Sequence, residues 1–361
     1  MTAADILRIR LDNQQLSATS LKTPAEVVHW MGAIQAQEYA MAKWAIGLRL
    51  KDVPESIIEK AFNDGAILRT HVMRPTWHFV APEDIRWLLA LTAPRVHQAS
   101  AYMHRQLNFT PSLLKRSNDA IAKALEGGNH LTRTDLQKVL KQKKIIAAGF
   151  HLGHLMMYAE LEQVICSGPR QGKQFTYALL DERVPPVKPI SRDEALSKLA
   201  HRYFTSRGPT TLQDFSYWSG LTMKDAVAGA ATLNSSFNRE VMDGKEYIFV
   251  TPSTKNKIKL DNTFLMPDYD EYGMSYKDRS VISNLKKTVG PRASIVFNRF
   301  LVIDGRISGS WNRTFNKDGV QIKVIPFAPL SKVKMKAMAS AMKRFHTFLN
   351  IGSSKKSNRK K

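Results

Sequence analysis

The sequence predicts a mostly helical α+β chain. A helix–helix–helix–strand order recurs three times before a β-rich C-terminal part. Three observations carry that expectation. Capped helix starts recur through the first 255 residues, as in Thr23-Pro24-Ala25-Glu26, Thr132-Arg133-Thr134-Asp135, Thr211-Leu212-Gln213-Asp214 and Thr222-Met223-Lys224-Asp225. Short runs rich in aromatic and β-branched residues close each pattern. After about residue 255 the helical signals give way to hairpin signals.

In the first pattern Thr23 is an N-cap, Pro24 stands at the first helical position and Glu26 puts an acid in the first turn. That helix is expected to run towards Gln35. Residues 41–50 and 55–63 read as the next two helices; Gly65 breaks the last one, and Thr76-Trp77-His78-Phe79-Val80 reads as a strand. The second pattern has helices over 117–125, closed by Gly127-Gly128, from the Thr132 cap to Lys143, and over 154–166, stopped by Gly168-Pro169. A basic turn from Arg170 then leads into a strand ending near Leu179. Pro185, Pro186 and Pro189 mark the clearest linker. The third pattern starts at Ser191-Arg192-Asp193-Glu194, and its strand, 246–251, follows an Asp243-Gly244 turn.

Two short helices, a third helix and a basic hairpin make a winged helix–turn–helix, which docks its third helix in a groove of DNA and its wing on the backbone. The expected organisation is a tandem of such units over 1–100, 101–189 and 190–255. A small barrel-like β domain follows over 256–350, then a disordered basic tail over 351–361. Within that β domain, Phe300 to Trp311 is a hairpin signal around Asp304-Gly305, and Val320 to Pro326 is a further strand. Between them lies a basic loop, Asn312 to Gly319; a helix over about 331–349 closes the domain.

Composition narrows the function classes. With 54 Lys+Arg against 31 Asp+Glu, the formal charge of +23 favours polyanionic partners. Double-stranded DNA leads and an anionic membrane surface comes second. No run approaches the length of a membrane span, and the N-terminus lacks the pattern of a signal peptide. Cys166 stands alone, which excludes an internal disulfide framework and fits a reducing compartment. A cytoplasmic, nucleoid-associated monomer is expected.

The most informative stretch runs from Met31 to Trp44, where Gln35 and Gln37 interrupt an apolar, helix-like run. Residues two apart on a helix point about 200° apart, so a regular helix cannot aim both amides at one target. Either one glutamine faces water, or the helix ends near Gln35 and a turn brings the amides together. The second arrangement makes a notch of carbonyl acceptors and NH₂ donors able to hold a water.

These residues resemble the AlkZ-like winged-helix DNA glycosylases. The likeness rests on Ile34-Gln35-Ala36-Gln37 with Ala42-Lys43-Trp44-Ala45, on Arg69 to His78, on Leu265 to Tyr272 and on Val302 to Trp311, in that order. In that family the motif is Gln, an apolar residue, then Gln or Asp. The resemblance therefore implies catalytic roles for Gln35 and Gln37, tandem winged helices around DNA, and no cofactor. The implied activity is hydrolysis of the N-glycosidic bond of purines alkylated at N3 or N7, with unhooking of interstrand crosslinks suggested by the Gln/Gln form. A cationic base is already a good leaving group, so an amide that never ionises suffices to hold a water beneath C1′. The alternative is a non-catalytic winged-helix DNA-binding protein or transcriptional regulator.

Further DNA-binding or pocket candidates are His71, Arg74, Thr76 and His78, with His71 and His78 flanking Arg74 in one wall, and Asp270. Trp311, Arg313, Phe315 and Lys317 are candidates around the basic loop, where a duplex wedge would sit. Asp268, Asp270 and Glu271 form an acidic island expected to pair with Arg279 or Lys277. His151 and His154 share a helical spacing but sit among Leu152, Leu155, Met156 and Met157, so no metal site is expected. No glycine-rich phosphate loop, Ser-His-Asp order or zinc-finger spacing occurs.

Overall fold

Threonine and serine caps start many of the helices close to where the sequence places them, in a computed structural model that describes residues 1–252, 262–283, 298–317 and 319–349. The expected basic tail lies outside the described residues. Helix α1 (Ala3–Asn13) opens with a Thr2/Asp5 capping box. Helix α2 (Pro24–Met31) opens at Thr23, whose side chain accepts the Glu26 N–H at 3.2 Å. It ends four residues before Gln35, because Gly32 adopts φ 69°, a backbone region that side chains resist. Strand β1 (Ile34–Gln35) follows, then α3 (Tyr39–Gly47), α4 (Glu55–Asn63) and the hairpin of β2 (Leu68–Val72) and β3 (Arg74–Val80).

Helix α5 (Pro82–Gln106) leads to α6 (Pro111–Leu125), β4 (Leu131–Thr132), α7 (Arg133–Gln142), α8 (Gly149–Leu161), β5 (Ile165–Ser167) and β6 (Thr176–Leu179). After the short α9 (Leu180–Arg183) and the proline-containing connection come α10 (Arg192–Arg207), α11 (Leu212–Ser219), α12 (Met223–Ala231) and the hairpin β7 (Asn238–Met242)–β8 (Lys245–Phe249). The sheets run β1-β3-β2 and β4-β6-β5, and an isolated bridge, Thr210 to Ile248, stands in the third place where β1 and β4 stand in the others. The connectivity α–β–α–α–β–β thus recurs three times. The sequence showed the helices of each repeat and its last strand, but the helix expected over 154–166 is corrected to Gly149–Leu161, with Ile165–Ser167 in β5. The first strand stayed hidden, because two residues are too few to alternate.

The C-terminal part contains β9 (Thr263–Met266), α13 (Glu271–Met274), β10 (Phe300–Ile303), β11 (Arg306–Asn316), β12 (Gly319–Pro326) and α14 (Lys332–Phe348). Its sheet has the order β12-β11-β10-β9 and stays open, so the barrel-like expectation is corrected to an open four-stranded sheet among the described residues. The supposed basic loop is corrected too. Asn312 to Asn316 are ladder residues of β11, paired through to Gly319 of β12, and only the tip turns. Helix α14 buries Ala337, Ala341, Phe345 and Phe348. Phe345 packs at 5.0 Å from Trp44 and 5.1 Å from Trp311, tying the sheet to α3. No described helix is long and apolar enough to cross a membrane.

The first repeat lies between two cores. Ile34, Trp44 and Phe79 join one with Leu265, Leu301 and Trp311 of the C-terminal sheet. Leu68 and Val80, on the opposite side of the same three-stranded sheet, join another with α5 and α10–α12. The second repeat encloses its own, smaller core.

Candidate active site

Gln35 leaves α2 behind and enters the extended chain of β1, and Gln37 follows in a bend before α3. Gln35 pairs with His78 across β1 and β3, and the Ala36 N–H continues the ladder to the Trp77 carbonyl at 2.7 Å. Both open alternatives from the sequence are met in part. The helix does end before the motif, and one glutamine does face water. Gln35 is buried, 6% exposed, whereas Gln37 is exposed where the ladder ends. Gly32 was the legible stop signal for the helix.

Distant groups hold this segment. Arg207, at the end of α10, donates to the Met31 carbonyl at 2.6 Å and to the Ala33 carbonyl at 2.9 Å. Its ion partner, Glu271 of α13, accepts the Gln35 N–H at 3.0 Å. Arg69 donates to the Ala36 carbonyl at 3.0 Å. Glu271 also accepts from Trp218 Nε1 and Ser275 Oγ, both at 2.8 Å. Burial alone would push the Glu271 carboxyl up; Arg207, the Gln35 amide, His78 and Ser275 outweigh it and hold the group at about 2. It is an anion at any working pH.

On the face that carries Gln35, Arg74 Nη2 donates to Gln35 Oε1 over 3.4 Å. His78 is fully buried and donates from Nδ1 to the Thr76 carbonyl at 2.9 Å, while its Nε2 and the hydroxyls of Thr70 and Thr76 have no partner among the described residues. Burial, with the charge of Arg74, lowers His78 to about 3, so the ring is neutral and Nε2 presents a lone pair. Gln35, Arg74, Thr76 and His78 are therefore brought together. What the arrangement offers is a set of fixed, non-ionising acceptors and donors beside one cation.

Other expected members are elsewhere. His71 pairs with Trp77, on the opposite face from His78; its ring lies 4.4 Å from Trp77 and its Nδ1 contacts Glu160, so the pocket wall of two histidines is corrected to one. Asp270 is enclosed in a bidentate pair with Arg49 at 3.0 Å and caps α13, so it is a staple and not a pocket residue. The acidic island pairs with remote arginines in place of Lys277 and Arg279: Asp268 with Arg299, Asp270 with Arg49 and Glu271 with Arg207. Trp311 is buried and donates to the Met266 carbonyl, a packing role. Arg313 lies over Phe315, 5.2 Å from its ring centre; Phe315, 58% exposed, and Lys317 stand at the hairpin end.

His151 and His154 contact Phe109 and Phe150. The one described group of three with metal-ligand spacing is His29, Glu83 and Asp84, and its Asp84 already pairs with Arg202 and Lys198. Two site neighbours escaped the sequence reading: Tyr217, beside Arg74, and Glu271 as the anchor of Gln35. Nothing local in the sequence brings α11 or α13 to residue 35.

Comparison with known proteins identifies the family and the fold. A curated relative, the interstrand DNA cross-link repair glycosylase of Streptomyces sahachiroi, is 22% identical over 344 residues, covering 91% of each chain. The solved structure of Streptomyces sahachiroi DNA glycosylase AlkZ superposes with a TM-score of 0.81 at 20% identity, covering 97% of each chain, a likeness of fold. The family described as DNA glycosylase AlkZ-like matches residues 28–348, a span that takes in Gln35, Gln37, Arg74, His78 and Glu271. The chain belongs to the AlkZ-like DNA glycosylase family.

Proposed function

We propose that this protein is a monofunctional DNA glycosylase that hydrolyses the N-glycosidic bond of purines made cationic by alkylation at N3 or N7, interstrand crosslinks among them. The observation that carries the reading is the Gln35-Ala36-Gln37 segment, pinned from three sides, with Gln35 buried in a strand and Gln37 exposed in the bend that follows. In this reading Gln37 holds the attacking water through its carbonyl, and Gln35, oriented by Arg74, lines the floor beneath the sugar. Neither takes a proton as a carboxylate would. The rate then comes from proximity and oriented dipoles acting on an oxocarbenium-like sugar. Such help suits a base that leaves as a neutral molecule; normal purines and uracil, which leave as anions, are poor fits.

Hydrolysis without strand cleavage fits the nearby lysine. Lys43 is engaged by Glu55 at 2.8 Å and Glu59 at 2.5 Å, so its amine is committed to an ion-pair cluster. The three α–β–α–α–β–β repeats are read as winged helices, at the boundaries expected from sequence, wrapping a duplex as one monomer in the cytoplasm, at the nucleoid. The β11–β12 hairpin, with Arg313, Phe315 and Lys317, reaches the minor groove. The deciding experiment incubates the protein with duplex DNA carrying 7-methylguanine and assays free base and alkali-labile abasic sites. Release of the base supports the proposal; tight binding without release leaves the non-catalytic DNA-binding alternative.

A further inference from the structure

Arg74 is a guanidinium that forms no ion pair among the described residues. It stands at the start of β3, just past Met73, which turns the hairpin at φ 63°. Burial disfavours its charge; Glu271 and Tyr217 favour it, and Arg207 and Arg279 disfavour it further. Among the described residues no carboxylate lies within ion-pair distance of it, and its polar contact is the 3.4 Å bond to Gln35. Glu271, the anion that acts on it, has both oxygens committed: Oε1 to the Gln35 N–H, Oε2 to Arg207, Trp218 and Ser275. Arginine does not shed its proton in proteins, so the charge remains, and because the side chain is half-buried an anion from outside can reach it.

The surroundings are built for one. The Tyr217 ring lies 5.9 Å from the Arg74 guanidinium and 5.5 Å from that of Arg279, and Arg279 Nη2 donates to the Tyr217 hydroxyl at 3.1 Å. Gly220 closes α11 at φ 71°, so near the β2–β3 turn that a Cβ there would sit 2.4 Å from the Met73 carbonyl oxygen. That close approach holds Arg74 against Tyr217. A base carrying positive charge would be repelled at this place, whereas the backbone of the same nucleotide would not.

We propose that Arg74, backed by Tyr217, is the receptor for one backbone phosphodiester next to the reacting nucleotide, a contact that sets the sugar over Gln35. The proposal rests on the reading of Gln35 and Gln37 as the reacting site. Arg–phosphate geometry is planar and bidentate, which fixes position as well as charge.

The test is a binding cycle that needs no turnover. Duplexes carry a tetrahydrofuran abasic analogue and a neutral methylphosphonate at each flanking phosphate in turn, and affinity is measured for the parent, Arg74→Gln and Arg74→Lys. One substituted position should weaken the parent about tenfold and leave Arg74→Gln unaffected, in line with loss of one charge-assisted contact. Arg74→Gln should also lower the log–log salt slope by about one. Arg74→Lys, which keeps the charge without the fork, should recover the slope and only part of the affinity.

Equal penalties in parent and Arg74→Gln at every position would overturn the proposal and leave Arg74 as an orienter of Gln35. Stabilisation of the parent by inorganic phosphate, absent in Arg74→Gln and coupled with equal penalties, would assign the site to a free anion and also overturn it. If the cycle succeeds while 7-methylguanine is never released, the phosphate contact stands and the glycosylase reading fails alone. Should Arg74→Gln not fold, the Arg74→Lys cycle decides, with equal penalties again the contrary result.

Discussion

The first and second repeats share their connectivity and use the same strand in opposite ways. In the second, Thr132 ends β4 and caps α7: its hydroxyl accepts the Asp135 N–H at 3.2 Å and donates to the Asp135 carboxylate at 2.6 Å. The third repeat does likewise, with a Thr211/Asp214 capping box on α11. In the first, Glu38 stands at the cap of α3 without a side-chain cap bond, and the strand carries Gln35. There the backbone is held by Arg69, Arg207 and Glu271, the last two far away in sequence. A local rule is broken where the polar motif sits, and long-range buried bonds compensate. That is the pattern expected of a functional segment.

The comparison breaks most sharply at Glu271. Glu271→Ala should cost about 3–5 kcal/mol, because it leaves Arg207 buried without its partner. Urea unfolding of the two proteins checks this. A cost under about 1 kcal/mol would mean that the segment is held some other way.

Acid should act on the first repeat in two windows. His78 has a folded value of about 3 against an ordinary 6.5, so the unfolded chain binds a proton that the folded one refuses. Stability is lost as pH falls from about 6.5, by about 2 kcal/mol between pH 6.5 and 5 from this group. Glu271 contributes in full above about pH 4.5, and its part fades as pH falls towards its folded value of about 2. Unfolding curves at pH 7 and pH 5 for the parent and His78→Leu measure the first window. An identical pH dependence in the two would contradict the assignment.

The smallest effect lies in the second repeat. Thr132→Ala should cost about 1 kcal/mol for the lost cap and leave base release unchanged. Glu38→Thr, the converse change, should stabilise α3 by about 0.5–1 kcal/mol. Melting temperatures alongside release rates sharpen the contrast: a Thr132→Ala enzyme that is slow but stable would show that β4 is more than a cap.

How much of this was legible in the sequence follows from the range of each signal. Caps at Thr23, Thr132, Ser191, Thr211 and Thr222 announced their helices, because capping is local chemistry. The two glutamines stood out in an apolar run, but spacing alone left a water-facing role open, which Gln37 meets, and their catalytic reading rests on the family resemblance. The extended state of Gln35 was not legible, because it depends on pairing with His78 forty-three positions away and on Glu271 beyond 200. Likewise, the separation of His71 from His78 required the strand register, and the partners of Asp268, Asp270 and Glu271 are Arg299 just before β10, Arg49 just after α3 and Arg207 at the end of α10, all distant in sequence.

Gln37 is the side chain on which the proposed reaction depends most directly. Single-turnover release of 7-methylguanine from a duplex should be slower in Gln37→Ala by on the order of 10²-fold, the usual loss for one oriented polar group at a developing charge. Melting temperature and affinity for the duplex should be unchanged, since the side chain is exposed, and Gln37→Asp, the family's other choice, should retain activity. A Gln37→Ala protein that releases the base as fast as the parent would contradict the assignment of the reaction to this segment.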